Sequence, residues 1–450
     1  MASTYRINMT EGNLLPKILK FTLPLMLSSL LQLLFNAADI IVVGKFAGHE
    51  ALAAVSSTSP LINLIVNLFM GLSVGANVLV ARQIGAKEET AVKKTVHTSI
   101  ALSIFGGVFL TVFGLVFARK MLDMMDVPSD VINLSVTYLR IYFVGMIAML
   151  VYNYGAAILR AKGDTKRPLY FLTLAGIINV CLNLILVIIF DLDVAGVGIA
   201  TTVSQIISAS LVFLCLIKED EMMRLDPKAI RIDFKTLIEI MKIGLPAGIQ
   251  GSLFALSNVV IQKTINSFGS IVVAGNGAAG NIEGFVYVGM NAFHQSCLTF
   301  TSQNYGAKRM DRVKKTLFIC QSLVIVTGLV LGVGAYLNGE FLLSIYADDP
   351  SVISAGMVRL SYVSKYYFLC GIMDVMVGSL RGLGYSLFPM FVSLMGACAF
   401  RLWWIAYIFP YNPISDTVYF SYPVSWIITS LFHILTFIYA MHAIKRKGIK

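Results

Sequence analysis

Apolar runs long enough to cross a hydrocarbon core of ~30 Å recur twelve times along the chain. They fall at 18–44, 52–80, 92–117, 131–158, 169–190, 195–217, 237–265, 272–300, 316–338, 352–380, 387–409 and 418–443. Their length and spacing predict an all-α polytopic membrane protein with twelve transmembrane helices. The first run is too long for a cleavable signal peptide and lacks a small-residue cleavage site, so it is expected to remain as span one. The main polar interruption is KEDEMMRLDPKAIRIDF, residues 218–234, with Pro227 inside it. It divides the chain into 1–217, a linker at 218–235, and 236–450.

Composition agrees with this pattern. Hydrophobic residues make up 57% and charged residues 13% of the 450, too few charges to cover a soluble fold of that size. The net charge of +11 invites a nucleic-acid reading until the cations are placed. Of the 35 Lys and Arg, 27 fall at the amino terminus, in the even-numbered loops and in the carboxy-terminal tail. The odd loops include the acidic FDLDVAG and YADDPS. The positive-inside rule then puts both termini in the cytoplasm, and the surplus is a topology signal with no nucleic-acid partner implied. Six cysteines stand singly within apolar runs with no CxxC spacing, which reads as small core residues.

The chain repeats itself. TLPLMLSSLLQLLFN from Thr22 resembles GLPAGIQGSLFALSN from Gly244, pairing Pro24 with Pro246. RQIGAKEETAVKKT from Arg82 matches QNYGAKRMDRVKKT from Gln303, and ILRAKGDTKRP from Ile158 matches SLRGLGYSLFP from Ser379. The offset stays at 221–222 residues. Each half has six spans, an even number, so both enter from the same side and the repeats are parallel. Two six-helix lobes around a central cavity are expected, an architecture of transporters that alternate access by rocking one half against the other.

Polar residues inside the spans are the candidate chemistry. A carboxylate at a span centre costs about 2.5–3.5 kcal/mol to insert, so Asp39, in LFNAADIIVVG, calls for a function. Gln32, Asn36 and Asp39 lie within roughly 60° of one another on a helix, a stripe that must face protein or a water-filled cavity. Pro24 lies about 22 Å earlier along the same helix and is a natural bending point, a conformational hinge. Asn179 and Asn183 share one face of span five, and Thr201 stands in span six. Asn153 lies in span four. In the second half Glu283, His294 and Asp374 lie within spans eight and ten. There the carboxylates either line a cavity or pair with Lys263, Lys365 or Arg401. Met146, Met149, Met290, Met373 and Met376 either line a soft cavity or fill the core. GLSVG, Gly71–Gly75, fits a nucleophile-elbow pattern, but mid-helix it reads as a GxxxG packing face.

The proline-bearing first span with DIIVVG, QIGAK after span two, QNYGAK after span eight, and LRAKGDT and LRGLG after spans four and ten together resemble the multidrug and toxic compound extrusion (MATE) family. The resemblance covers essentially the whole chain. It implies efflux of organic cations driven by inward flow of protons or sodium. It also implies a cation site. In many members the position of Asn183 is an aspartate, which joins the first-span aspartate, the preceding asparagine and a span-six threonine. Asp39, Asn179 and Thr201 fit that set. Asn183 departs from it and leaves one carboxylate where two are expected, as a proton site or a possible Na+ site.

The sequence therefore reads as a secondary active antiporter in a prokaryotic plasma (inner) membrane. It would export cationic or amphipathic small molecules against H+ or Na+. No cofactor is expected, and without a P-loop, HExxH or dinucleotide fingerprint ATP is not the direct energy source. A flippase for lipid-linked saccharides is the alternative of the same architecture, but it needs a strongly cationic cavity for pyrophosphate. An intramembrane enzyme needs a nucleophile, base and orienter or a metal set, and no such set stands out.

Overall fold

The computed structural model describes residues 6–125, 127–446 and 448. Among these the chain is helical and contains no strand. The first half comprises α1 (Leu14–Val42), α2 (Gly48–Ala86), α3 (Glu89–Asp123), α4 (Ile132–Val144), α5 (Met146–Lys162), α6 (Lys166–Leu184) and α7 (Asp193–Ile217). The second comprises α8 (Phe234–Asn266), α9 (Ser270–Gly306), α10 (Met310–Leu337), α11 (Gly339–Ser344), α12 (Pro350–Tyr362), α13 (Tyr367–Gly382), α14 (Leu387–Ser393), α15 (Phe400–Tyr407) and α16 (Ser415–Arg446). Every predicted span finds a helical stretch.

Two spans expected to be continuous are broken. Span four bends by 45° between α4 and α5. Gly145 stands at the bend, where a Cβ would come within 2.6 Å of Gln205 Oε1 on α7. Span ten breaks between α12 and α13, at the matching place in the repeat. Among the described residues nine helices are long and apolar enough to cross a membrane, ten with the bent span four. The two remaining spans are the broken tenth and α9, which is 37 residues long but diluted by Asn276, Glu283, Asn291 and His294. Large apolar side chains on outer faces stay exposed, as Phe105, Phe109 and Val116 do on α3 and Leu431 and Leu435 on α16. Such faces suit lipid.

Contacts along the chain define two compact units, Met1–Asn8 with Leu27–Gly248, and Met9–Met26 with Ile249–Lys450. The first helix of each half thus changes unit along its length. Pro24 and Pro246 both stand two residues before the change. Within the first unit α8 crosses α2 on glycines. A Cβ on Gly71 would lie 2.1 Å from the Gly248 nitrogen, and one on Gly75 would lie 2.3 Å from the Ile240 carbonyl oxygen. GLSVG is therefore a packing face, and the backbones touch. Within the second unit the repeat-related crossing of α1 and α9 is closed instead by a hydroxyl pair, Thr22 and Ser296, at 2.7 Å. Phe21 packs edge-on against Phe300 beside it.

Candidate functional site

In the first unit α6 brings its asparagines to the polar end of α1. Gly176 makes the approach possible, because a Cβ there would lie 1.8 Å from Phe35 Cε2. Phe35 precedes Asp39 by one helical turn, and Gly176 precedes Asn183 by two, so this contact sets their register. The Asn183 side-chain amide donates to the Asp39 carboxylate and, at 3.3 Å, to Asn179 Oδ1. Asn179 Nδ2 in turn reaches Thr201 Oγ1 on α7 at 3.5 Å. Asn183 is fully buried and Asn179 is 5% exposed, while Asp39 is half-buried. Among the described residues Asp39 forms no ion pair, and Asn183 Oδ1 has no hydrogen-bond partner. Both helices then open into π-helical turns, Val43–Ala47 and Ile185–Ile189, a distortion frequent at functional sites.

The structure thus brings together Asp39, Asn179, Asn183 and Thr201. Gln32 and Asn36 are exposed on α1. Asn153 turns inward on its own helix and donates to the Met149 carbonyl at 2.8 Å. Tyr138 of α4 is buried within electrostatic reach of Asp39.

In the second unit Glu283 does have a cationic partner, and it is Arg359, outside the three sequence candidates. The pair is bidentate, with Arg359 Nε to Glu283 Oε1 at 3.0 Å and Nη2 to Oε2 at 2.6 Å. Arg359 Nη1 also donates to Asn276 Oδ1, which accepts the Tyr419 hydroxyl as well. Arg401 turns elsewhere. It donates to Ser425 Oγ at 2.8 Å and lies 4.1 Å from the Tyr422 ring centroid. The Asp374 carboxylate accepts the His294 Nδ1 donates to the Asp374 main-chain carbonyl at 2.6 Å. Met146, Met290, Met373 and Met376 are buried and fill the core.

The sequence model of the MatE family matches residues 24–185 and 246–404, both halves of the repeat. The chain belongs to the MatE family. This MatE chain is 28% identical over 390 residues to the probable multidrug resistance protein YoeA of Bacillus subtilis, covering 85% of this chain and 83% of the relative. It is 26% identical over 343 residues to the FAD transporter of Shewanella oneidensis, covering 75% of each. The outward-facing structure of a multidrug resistance MATE family transporter of the MOP superfamily superposes with a TM-score of 0.90 at 20% identity, over 98% of each chain. At that identity the likeness shows the fold. Family and helices together make this a multi-pass membrane protein.

Sequence reasoning on this MatE chain missed Phe35, Gly176, Tyr138, Tyr287 and Arg359. Arg359 carried a signal, a cation inside the apolar run 352–380. The others did not, since an aromatic or a glycine in a span is ordinary.

Proposed function

We propose that this MatE protein is a secondary active antiporter. It exports organic cations or drugs in exchange for inward-moving protons, with sodium as the alternative ion, by alternating access of the repeat-related halves 1–217 and 236–450 joined at 218–235. The observation that carries the reading is the half-buried Asp39, held by a neutral amide with no cation beside it. A carboxylate so placed attracts either a cationic cargo or an inward-moving ion, and both cannot hold it at once. That competition is antiport. Kinship with YoeA, a probable multidrug resistance protein, supports the drug cargo. The basic loops support cytoplasmic termini in a plasma membrane. Gln32, Asn36, Asn153, His294 and Asp374 are proposed to line the cargo path, and Glu283 to hold it through Arg359.

The test is uphill efflux of a fluorescent organic cation from reconstituted vesicles, wild type against Asp39→Asn. Amide and carboxylate share shape, and only the carboxylate changes charge. Coupled efflux should disappear in a properly inserted variant. Near-wild-type export against a gradient would leave Asp39 a structural residue.

One observation favours a second cargo class. Arg359, Arg381 and Arg401 are all largely buried in the second unit, and Arg401 Nη2 has no hydrogen-bond partner among the described residues. A buried cation short of acceptors suits an acidic cargo group, and one relative is an FAD transporter. Flavin nucleotide offered to the same vesicles separates the two classes.

A further inference from the structure

The repeat sets two identical basic pairs in unlike surroundings. Val-Lys-Lys-Thr occurs at 92–95 on α3 and at 313–316 on α10. On α3 the chain covers its own pair. Glu221 stands 3.8 Å from Lys93, and Asp233 lies within electrostatic reach of Lys94. The linker is pinned beside them. The Asp226 main-chain N–H donates to His97 Nε2 at 3.1 Å, and that of Asp233 donates to Thr98 Oγ1 at 3.1 Å.

On α10 every one of these covering features is replaced. At the offset of 221 residues Phe318 stands for His97, Ile319 for Thr98, and Gly12 for Asp233. What remains is a cavity of about 550 Å³ within the second unit, lined among others by Gly12, Asn13, Arg312, Lys314, Lys315 and Phe318, and by no carboxylate. Arg312 spends its donors on neutral acceptors, the carbonyls of Met9, Glu11 and Gly12 and the Asn304 side chain. It holds the amino-terminal segment in place without losing its charge. The carboxylates in its electrostatic reach are Glu11 and Asp311, and Asp311 lies 3.5 Å from Arg309. Among the described residues Lys314 and Lys315 form no ion pair. Phe318, 74% exposed, begins the apolar part of the span about one turn beyond them. A ligand here meets cations at one end and hydrocarbon at the other.

We propose that this cavity binds the head group of an anionic phospholipid, with phosphate against Lys314 and Lys315 and acyl chain against Phe318. On α3 the acidic linker occupies the equivalent place. Basic pockets on the cytoplasmic side of membrane proteins recognise such head groups. The site is independent of the cargo.

The test is native mass spectrometry of the full-length protein titrated with phosphatidylglycerol or phosphatidylcholine in detergent. Phosphatidylglycerol should bind more tightly. Lys314→Gln/Lys315→Gln should weaken it about thirtyfold, at about 1 kcal/mol per lysine. Lys93→Gln/Lys94→Gln should leave it within about twofold on the same conversion. Phe318→Ser should weaken the long-chain lipid while sparing a short-chain analogue. Equal affinity for the two lipids, or equal loss from the two lysine pairs, would overturn the proposal. So would displacement of the lipid by excess inorganic phosphate, which would make this a site for the free ion.

Discussion

The ring of Phe35 rests on the backbone of Gly176, so closely that a single methyl group at 176 would meet it at 1.8 Å. The contact lies one turn from Asp39 and two from Asn183, and it sets the height at which carboxylate and amide meet. Gly176→Ala must push the ring, and α1 with it, away from α6. Overpacking of this kind costs about 1–3 kcal/mol, and misplacing a reacting group by about 1 Å can cost 10²-fold. Efflux should fall about 10- to 100-fold. Phe35→Leu, which removes the ring, should restore most of it in the double variant. Equal losses in the single and double variants would break the link between this contact and transport.

Pro24 stands two residues before α1 passes from one unit to the other, and Pro246 holds the same place in α8. A proline removes one helix hydrogen bond and lets the helix bend there. Pro24→Ala restores the bond and stiffens α1 where it must flex. Turnover should drop several-fold while equilibrium cargo binding stays within about twofold, the pattern of a conformational step that limits rate. Unchanged turnover with weakened binding would mean that Pro24 only packs.

The twelve spans and the repeat were legible because lipid imposes one rule on every span, roughly twenty apolar residues, and a common offset survives wherever that rule holds. The Asp39 cluster was legible for the converse reason, since few polar side chains stand inside spans and Asn179 and Asn183 are one turn apart. The pairing of Glu283 was not. It depends on how α9 and α12 turn toward each other, and span ten breaks just after Arg359, which a straight helix does not anticipate. The partner of His294 is a main-chain carbonyl, which leaves no mark in sequence. The two units also cut through α1 and α8, because a helix packs on whichever neighbours its faces meet and not on those nearest in the chain.

The linker offers a prediction in pH. Lys162, buried at the end of α5, pairs with Glu219 and Asp220, and Arg167 pairs with Asp164 and Glu219. Partial burial pushes the Asp220 carboxyl up, but hydrogen bonds with Glu219 and Lys162 and the charge of Lys162 outweigh it and hold it below the usual carboxylate range. Asp233 is held low by the main chain and hydroxyl of Thr236. A carboxyl with a depressed folded pKa stabilises above the unfolded value of about 4 and loses that contribution as pH falls through the folded value. Hydrogen exchange in 218–233 should therefore stay flat from about pH 8 to 5 and rise only below about 4. Lys162→Gln should raise it already at neutral pH. Opening that begins near pH 6 would assign the latch to His97 instead.

The last prediction concerns the driving ion, and it rests on what surrounds Asp39. A dehydrated Na+ needs several oxygen ligands and enough negative charge to offset the water it sheds. Here one carboxylate is present, and its oxygen already accepts the Asn183 amide. The remaining oxygens are neutral, Asn183 Oδ1, Asn179 Oδ1 and Thr201 Oγ1, and Asn179 Oδ1 also accepts from Asn183. A proton needs only Asp39. Efflux should therefore follow a pH gradient. Exchange of one proton for one monovalent cation moves no net charge, so the membrane potential should add nothing, and one pH unit should support about a tenfold cargo gradient, about 1.4 kcal/mol. Asn183→Asp supplies the second charge and should shift the site toward sodium. The deciding vesicles hold pH equal on both sides. Substantial uphill efflux on a Na+ gradient alone would sink the proton reading for the wild type. If Asp374→Asn then removed that response while Asn183→Ala did not, coupling would belong to the second half. Glu283→Gln serves as the companion variant, but because its carboxylate is held by both oxygens against Arg359, its loss should lower the yield of folded protein rather than change the ion that drives transport.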